Sequence, residues 1–187
     1  PVATQVQLAN AKAYEAKNYP KAFINFTKAI EVYENEGITD TSLYYNASVA
    51  GYKSKKYDEF IPYASKGIEL NHKKSHLLYY IKALAYNKSG NSEKYLETLE
   101  KGFEAYPNYT KLGKKLSVAY LKKGMKPYKS AAKIVEEAES YRESNTEKYL
   151  KEIEKANKKF EKAQLLFEKA YTANAKEKQV LKLLLSV

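Results

Sequence analysis

Ala22-Phe23-Ile24-Asn25-Phe26-Thr27-Lys28-Ala29 places Ala, Phe and Ala at steps of four and three residues, which is one face of an α-helix. The same small-to-aromatic triplet returns as Phe60/Ala64/Gly67, Tyr95/Leu99/Gly102, Ala131/Val135/Ala138 and Ala163/Phe167/Ala170. The last members of successive triplets lie 38, 35, 36 and 32 residues apart. A recurrence of about 35 residues is the period of a helical-repeat solenoid, in which each unit buries one face against its neighbours. Five such units fill the chain.

The rest of the sequence agrees with an all-α reading. Only seven Gly and five Pro punctuate 187 residues, and no stretch alternates apolar and polar residues with period two. A solenoid of this length counts as one quasi-linear domain, 1–187. Repeats are expected at about 3–36, 41–74 and 76–109, irregular long-helix units at about 110–141 and 146–174, and a capping helix at about 175–187.

Breaks fall near Asn18-Tyr19-Pro20, Asn35-Glu36-Gly37, Lys55-Lys56-Tyr57-Asp58, Asn71-His72, Ser89-Gly90-Asn91 and Pro107-Asn108, which gives three two-helix hairpins. In the first, Leu8 to Ala16 leads to Pro20, whose missing N–H suits a first helical turn. In the third, Ser75 is expected to cap a helix through Asn87, Gly90 to end it in a left-handed turn, and Ser92 with Glu93 to open its partner. Beyond Pro107, residues Leu112, Leu116, Tyr120, Pro127, Ala131, Ile134 and Ala138 keep one helical face across Gly124 and Pro127. Two readings stay open there: a hairpin breaking at Gly124-Met125-Lys126-Pro127, or one long helix with a proline kink, which we favour. A second long helix is expected over about 147–172, followed by a short amphipathic cap from Glu177 to Ser186.

These residues resemble the tetratricopeptide repeat, a unit of about 34 residues with an aromatic-x2-Leu-Gly/Ala-x2-Tyr first helix and an Ala-x3-Phe-x2-Ala second helix. The best single unit runs from Asn10 through Ala13, Tyr14 and Tyr19 to Ala22, Phe26 and Ala29; Tyr79, Ala83, Tyr86, Gly90 and Pro107 mark the third. The resemblance implies an α-α superhelix, a right-handed solenoid of helix hairpins with longer C-terminal helices. It also implies a non-enzymatic scaffold that binds a protein or peptide in a concave groove. The long C-terminal helices, with Phe160-Glu161-Lys162-Ala163 and Lys169-Ala170-Tyr171, further resemble repeat proteins common in the Bacteroidetes, many of them exported. That points towards a periplasmic or otherwise extracytoplasmic location and leaves the cytoplasm open.

In the family the groove is lined by first-helix positions that fall here on Thr4, Gln7, Ala11 and Tyr14; Ser42, Tyr45, Val49 and Tyr52; and Leu77, Tyr80, Leu84 and Asn87. Tyr14, Tyr45, Tyr52 and Tyr80 would be amphipathic anchors for a peptide or partner helix, beside Lys53 and Lys88 as rim charges. The plainer reading is that these tyrosines pack against their neighbours, since 19 tyrosines must align somewhere. Some family members grip a chaperone's C-terminal carboxylate through Lys, Asn and Arg. Here only Asn46 matches, while Gln7, Ala11, Leu77 and Ile81 occupy the other clamp positions, so that activity is not expected.

Charge singles out a second surface. The chain carries a net +11, of which residues 111–187 contribute +9, and Lys111 to Lys133 holds eight lysines and no acid. If that helix is continuous, Lys111, Lys115, Lys122, Lys126, Lys129 and Lys133 share one side, opposite Leu116, Tyr120 and Ile134. Such a stripe is most simply a solvated helix face, and alternatively a polyanion- or glycan-binding surface or the dock of an acidic partner. Nucleic acid is disfavoured because Arg142 is the one arginine in the chain.

No catalytic, cofactor or metal constellation stands out. His72 and His76 are four apart but His72 lies in a predicted turn, so they read as an ordinary exposed pair. Asp58/Glu59 and Glu136/Glu137 are adjacent carboxylates, and no phosphate-binding glycine loop or nucleophile elbow occurs. With no cysteine, neither disulfides nor thiolate sites can form. Mean hydropathy is −0.66 and no apolar run reaches the ~18 residues needed to span a bilayer. The first residue is Pro1 rather than Met, which reads as a processed or trimmed product. Partner identity and oligomeric state are not legible.

Overall fold

The computed structural model describes residues 13–176 and 178–185, and every regular element among them is helical. The chain divides into two compact units, one up to Tyr106 and one from Pro107. The expected helix from Leu8 is described only from Ala13 onward, where it ends at Glu15; Thr4, Gln7 and Ala11 lie outside the described residues.

In the first unit that helix is followed by α1 (Tyr19–Asn35), α2 (Thr41–Lys53), α3 (Tyr57–Glu69), α4 (Ser75–Lys88) and α5 (Ser92–Ala105). The helix ending at Glu15 and α1 to α4 stop by one device. Lys17, Lys55 and Gly90 have φ of 56°, 61° and 76°, and Gly37 and Asn71 have 69° and 53°. At each, the left-handed residue's N–H bonds the carbonyl three back, and the next N–H bonds the carbonyl five back, as in Asn71 to Ile68 and His72 to Gly67. This is the Schellman ending, which satisfies carbonyls the helix itself leaves open. At the next boundary Tyr106 has φ −137° and Pro107 follows, so the device does not recur there.

Capping differs in detail from expectation. Ser75 is the first residue of α4 rather than its cap, and its hydroxyl donates to the His72 carbonyl at 2.6 Å. Ser92 with Glu93 opens α5 as expected, and Asn91 caps it, its side chain accepting from Lys94 N at 3.0 Å. Asn18 and Asp40 cap α1 and α2 in the same manner.

The repeated small residues set how closely these helices approach. A Cβ added at Gly51 would stand 2.4 Å from Phe60 Cβ, and one at Gly67 2.8 Å from Leu78 Cδ1. Around these contacts Ala22, Phe23, Phe26, Ala47, Ala50, Phe60, Ala64, Leu78 and Ala85 form one buried cluster. Tyr44 ties α2 to α1 by donating its hydroxyl to the Glu34 carboxylate. Burial first, and then the Glu34 hydrogen bond and charge, push the Tyr44 phenol up to about 12.

The second unit contains α6 (Thr110–Ala138), a 3-10 turn at Glu139–Tyr141, α7 (Thr146–Ala173) and α8 (Lys178–Leu184). Gly124 and Pro127 are both inside α6, so the helix is continuous and the hairpin reading is discarded. Gly124 is a contact position rather than a breaker: a Cβ there would meet Phe167 Cε1 at 2.7 Å and Leu166 Cβ at 3.1 Å. Leu112, Leu116, Tyr120 and Ala131 of α6 and Ala156, Ala163, Phe167 and Ala170 of α7 are buried, and these two helices pack along their length. α8 packs on α7 with Val180 buried; Glu177 and Ser186, at the ends of the expected cap, lie outside the described residues. No described helix is long and apolar enough to cross a membrane.

Candidate protein-interaction surface

Repeat spacing puts tyrosines at equivalent places on successive first helices: Tyr14 and Tyr52 are 38 residues apart, Tyr45 and Tyr80 are 35 apart. All four are half-buried and pack onto the core, as do Val49 and Leu77. Tyr45 and Val49 come from α2, Tyr80 and Leu84 from α4, and Tyr14 from the helix that ends at Glu15. Leu84 is half-buried, and Asn87 and Lys88 are exposed at the end of α4. Each tyrosine rests its ring on the fold and retains partial exposure, an arrangement suited to rigid anchoring.

The supports differ. Tyr45 stacks on His72 at 4.6 Å and 14°, with Lys74 Nζ 5.1 Å from its ring centroid. Tyr52 meets Tyr57 and Phe60, each at 6.1 Å. Tyr14 is edge-on to Tyr19 at 5.5 Å. Lys53, expected as a rim charge, has its ammonium engaged within the unit: Nζ donates to the hydroxyls of Tyr14 at 3.0 Å and Tyr19 at 3.4 Å. It also lies 4.8 and 4.5 Å from their ring centroids. Its charge braces Tyr14.

Electrostatics follow from this packing. Burial, and secondarily the neighbouring Tyr14, raise the Tyr45 phenol; burial with Tyr57 and Tyr80 raises that of Tyr52. These hydroxyls therefore remain neutral donors at physiological pH. The Tyr14 hydrogen bond raises the Lys53 ammonium, which stays charged.

His72 corrects the sequence reading, which took it as exposed: it is only 6% exposed under Tyr45. Its Nδ1 accepts from Lys74 N at 3.1 Å, which requires the neutral ring. Burial, then Lys73 and Lys74, lower its pKa, with Asp40 opposing. The folded chain thus binds fewer protons than the unfolded chain below the ordinary histidine range, and stability falls as pH drops. The urea midpoint is expected to fall between pH 7.5 and 5.5 and His72→Gln to flatten that slope; equal slopes would remove His72 as its source. Among the described residues no group of three His, Cys, Asp or Glu side chains could hold a metal.

In the second unit Lys111, Lys115, Lys122, Lys126, Lys129 and Lys133 are all exposed on α6. With the helix continuous they occupy an arc of about 60° over roughly 33 Å, facing away from buried Leu116 and Tyr120. Lys133 Nζ pairs with Glu137 at 3.4 Å.

No family model matches the chain, and no curated protein sequence matches it. Solved structures do. A TPR repeats protein from Bacteroides fragilis NCTC 9343 is 24% identical, with 98% of this chain and 96% of that one aligned and a TM-score of 0.68. The TPR2AB domain of yeast Sti1, in its complex with pHSP90, is 18% identical over 99% of this chain and 82% of that chain, with a TM-score of 0.57. Yeast Tom70 is 17% identical over 98% of this chain and 42% of its own length, with a TM-score of 0.54. At these identities the likeness is one of fold: the chain has the tetratricopeptide-repeat architecture.

Proposed function

We propose that this chain is a non-enzymatic scaffold that binds a protein or peptide in the concave groove of its first unit. The observation that carries the reading is the repeat-spaced row of half-buried Tyr14, Tyr45, Tyr52 and Tyr80. Rigid aromatic rings lose little entropy on binding and dominate most protein interfaces. The Sti1 neighbour holds a protein partner with the same kind of fold. Here Leu77 and Ile81 stand at clamp positions and supply no cation, so the partner is held through apolar and aromatic contact, with Val49, Leu84, Asn87 and Lys88 beside the tyrosines.

The test is capture of partners from the source lysate by the intact chain and by a Tyr45→Ala/Tyr52→Ala double variant whose helicity is checked by circular dichroism. Loss of two anchors is expected to weaken the main partner by about tenfold or more with little dependence on salt. Unchanged capture by the double variant would refute the groove.

A second reading is favoured by the continuity of α6, which aligns six exposed lysines on one side. It makes that stripe the binding surface for a polyanion or anionic glycan. Binding there would fall steeply as salt rises and survive the tyrosine changes.

A further inference from the structure

The face of α4 opposite Tyr80, Leu84 and Asn87 borders a cavity of about 150 Å³ between α4 and α5. Tyr79, Lys82 and Tyr86 line it from α4, and Lys94, Glu97 and Lys101 from α5. Three lysines and one glutamate therefore line the space, and the glutamate is paired: Lys101 Nζ bonds Glu97 Oε1 at 2.6 Å. Lys94 Nζ lies 5.6 Å from the centroid of the Tyr86 ring. Lys82 is the unusual member. It is half-buried, and its Nζ donates to Ser65 Oγ of α3 at 2.7 Å, a neutral partner where a buried ammonium would favour an anion.

Burial is the main cause of a lowered Lys82 pKa, with Lys101 and Lys94 adding to it and Glu97 opposing. An anion between these groups would offset the mutual repulsion of the lysines and supply a charged acceptor. Lysine ammonium groups act as point charges that suit rounded oxyanions, and tyrosine rings give the space firm apolar walls. The space accommodates a single phosphate or carboxylate group. We propose that this cavity binds a small oxyanionic group, a phosphomonoester or a carboxylate, between the ammonium groups of Lys82 and Lys94, with Tyr79 and Tyr86 as its walls. The site is separate from the tyrosine row, which lies on the other side of α4, and stands or falls without it.

The test is an NMR titration of the full chain, labelled with nitrogen-15, against inorganic phosphate and separately against acetate at constant ionic strength. Saturable shifts of the Tyr86 and Thr98 amides are expected. Lys82→Met should raise the apparent Kd about tenfold or more, while Lys82→Arg retains binding and shows that charge rather than packing is required. Lys151→Gln, at an exposed position of α7, should leave the titration unchanged. Response to phosphate alone identifies a phosphomonoester site, and response to acetate alone a carboxylate site. No saturable response to either anion, or equal Kd values for wild type and Lys82→Met, would overturn the proposal.

Discussion

Gly51→Val is expected to cost about 3 kcal/mol of folding stability, a large share of the roughly 5–15 kcal/mol that holds an ordinary domain folded. The first added atom alone would stand 2.4 Å from Phe60 Cβ and 3.0 Å from Phe23 Cε2. Phe60 is fully buried, and its Cβ is anchored to the backbone of α3, so the clash cannot be relieved by swinging a flexible side-chain end. The axes of α2 and α3 must part, and the contacts of Ala47, Ala50 and Ala64 loosen with them. Urea unfolding followed by far-ultraviolet circular dichroism reads the effect directly. A variant with the wild-type midpoint would mean that these helices tolerate a wider separation than the packing implies.

The second large effect belongs to the other unit. Phe167→Ala is expected to destabilise it by about 3–5 kcal/mol, because the ring is fully buried and its removal leaves a void that small neighbours cannot fill. On the facing helix stand Gly124, in contact with the ring edge, and Tyr128, whose ring centroid is 6.1 Å away. Leu165→Ala, two residues earlier on α7, is the control: Leu165 is 61% exposed, and its truncation should change stability by less than about 0.5 kcal/mol. Equal losses for the two variants in the same denaturation experiment would contradict the assignment of Phe167 as the packing centre.

Phe167 belongs to the recurring triplet and Gly51 packs against a member of it, Phe60, and that is why the fold could be read. Ala22, Phe26 and Ala29, Phe60, Ala64 and Gly67, and Ala163, Phe167 and Ala170 are all buried, so the spacing marks where helices touch. The turns were legible for a related reason, since Asn, Gly and Lys clusters interrupt the apolar rhythm. Gly124 and Pro127 were ambiguous because the same residue types serve as breakers and as close-contact positions, and only the ring of Phe167 across the interface decides between the two. Of the tyrosine row, the sequence yields its register but not its supports. His72 looks like a surface turn residue until Tyr45, 27 positions earlier, covers it. Lys82 looks like any helix lysine, because neither its reach to Ser65 nor its convergence with Lys94 and Lys101 follows a fixed interval along the chain.

The left-handed helix endings have a modular consequence. Gly37 and Asn71 end α1 and α3 with the same pair of backbone bonds, 34 residues apart. The chain therefore arrives at both points with the same local geometry and leaves each toward a helix of the same role. Excision of residues 38–71 would join Gly37 directly to His72 with the turn already in phase, and insertion of a copied segment would do so equally. These turns are splice points: the first unit can gain or lose a hairpin as a whole, and the number of hairpins can vary while each keeps its own local architecture.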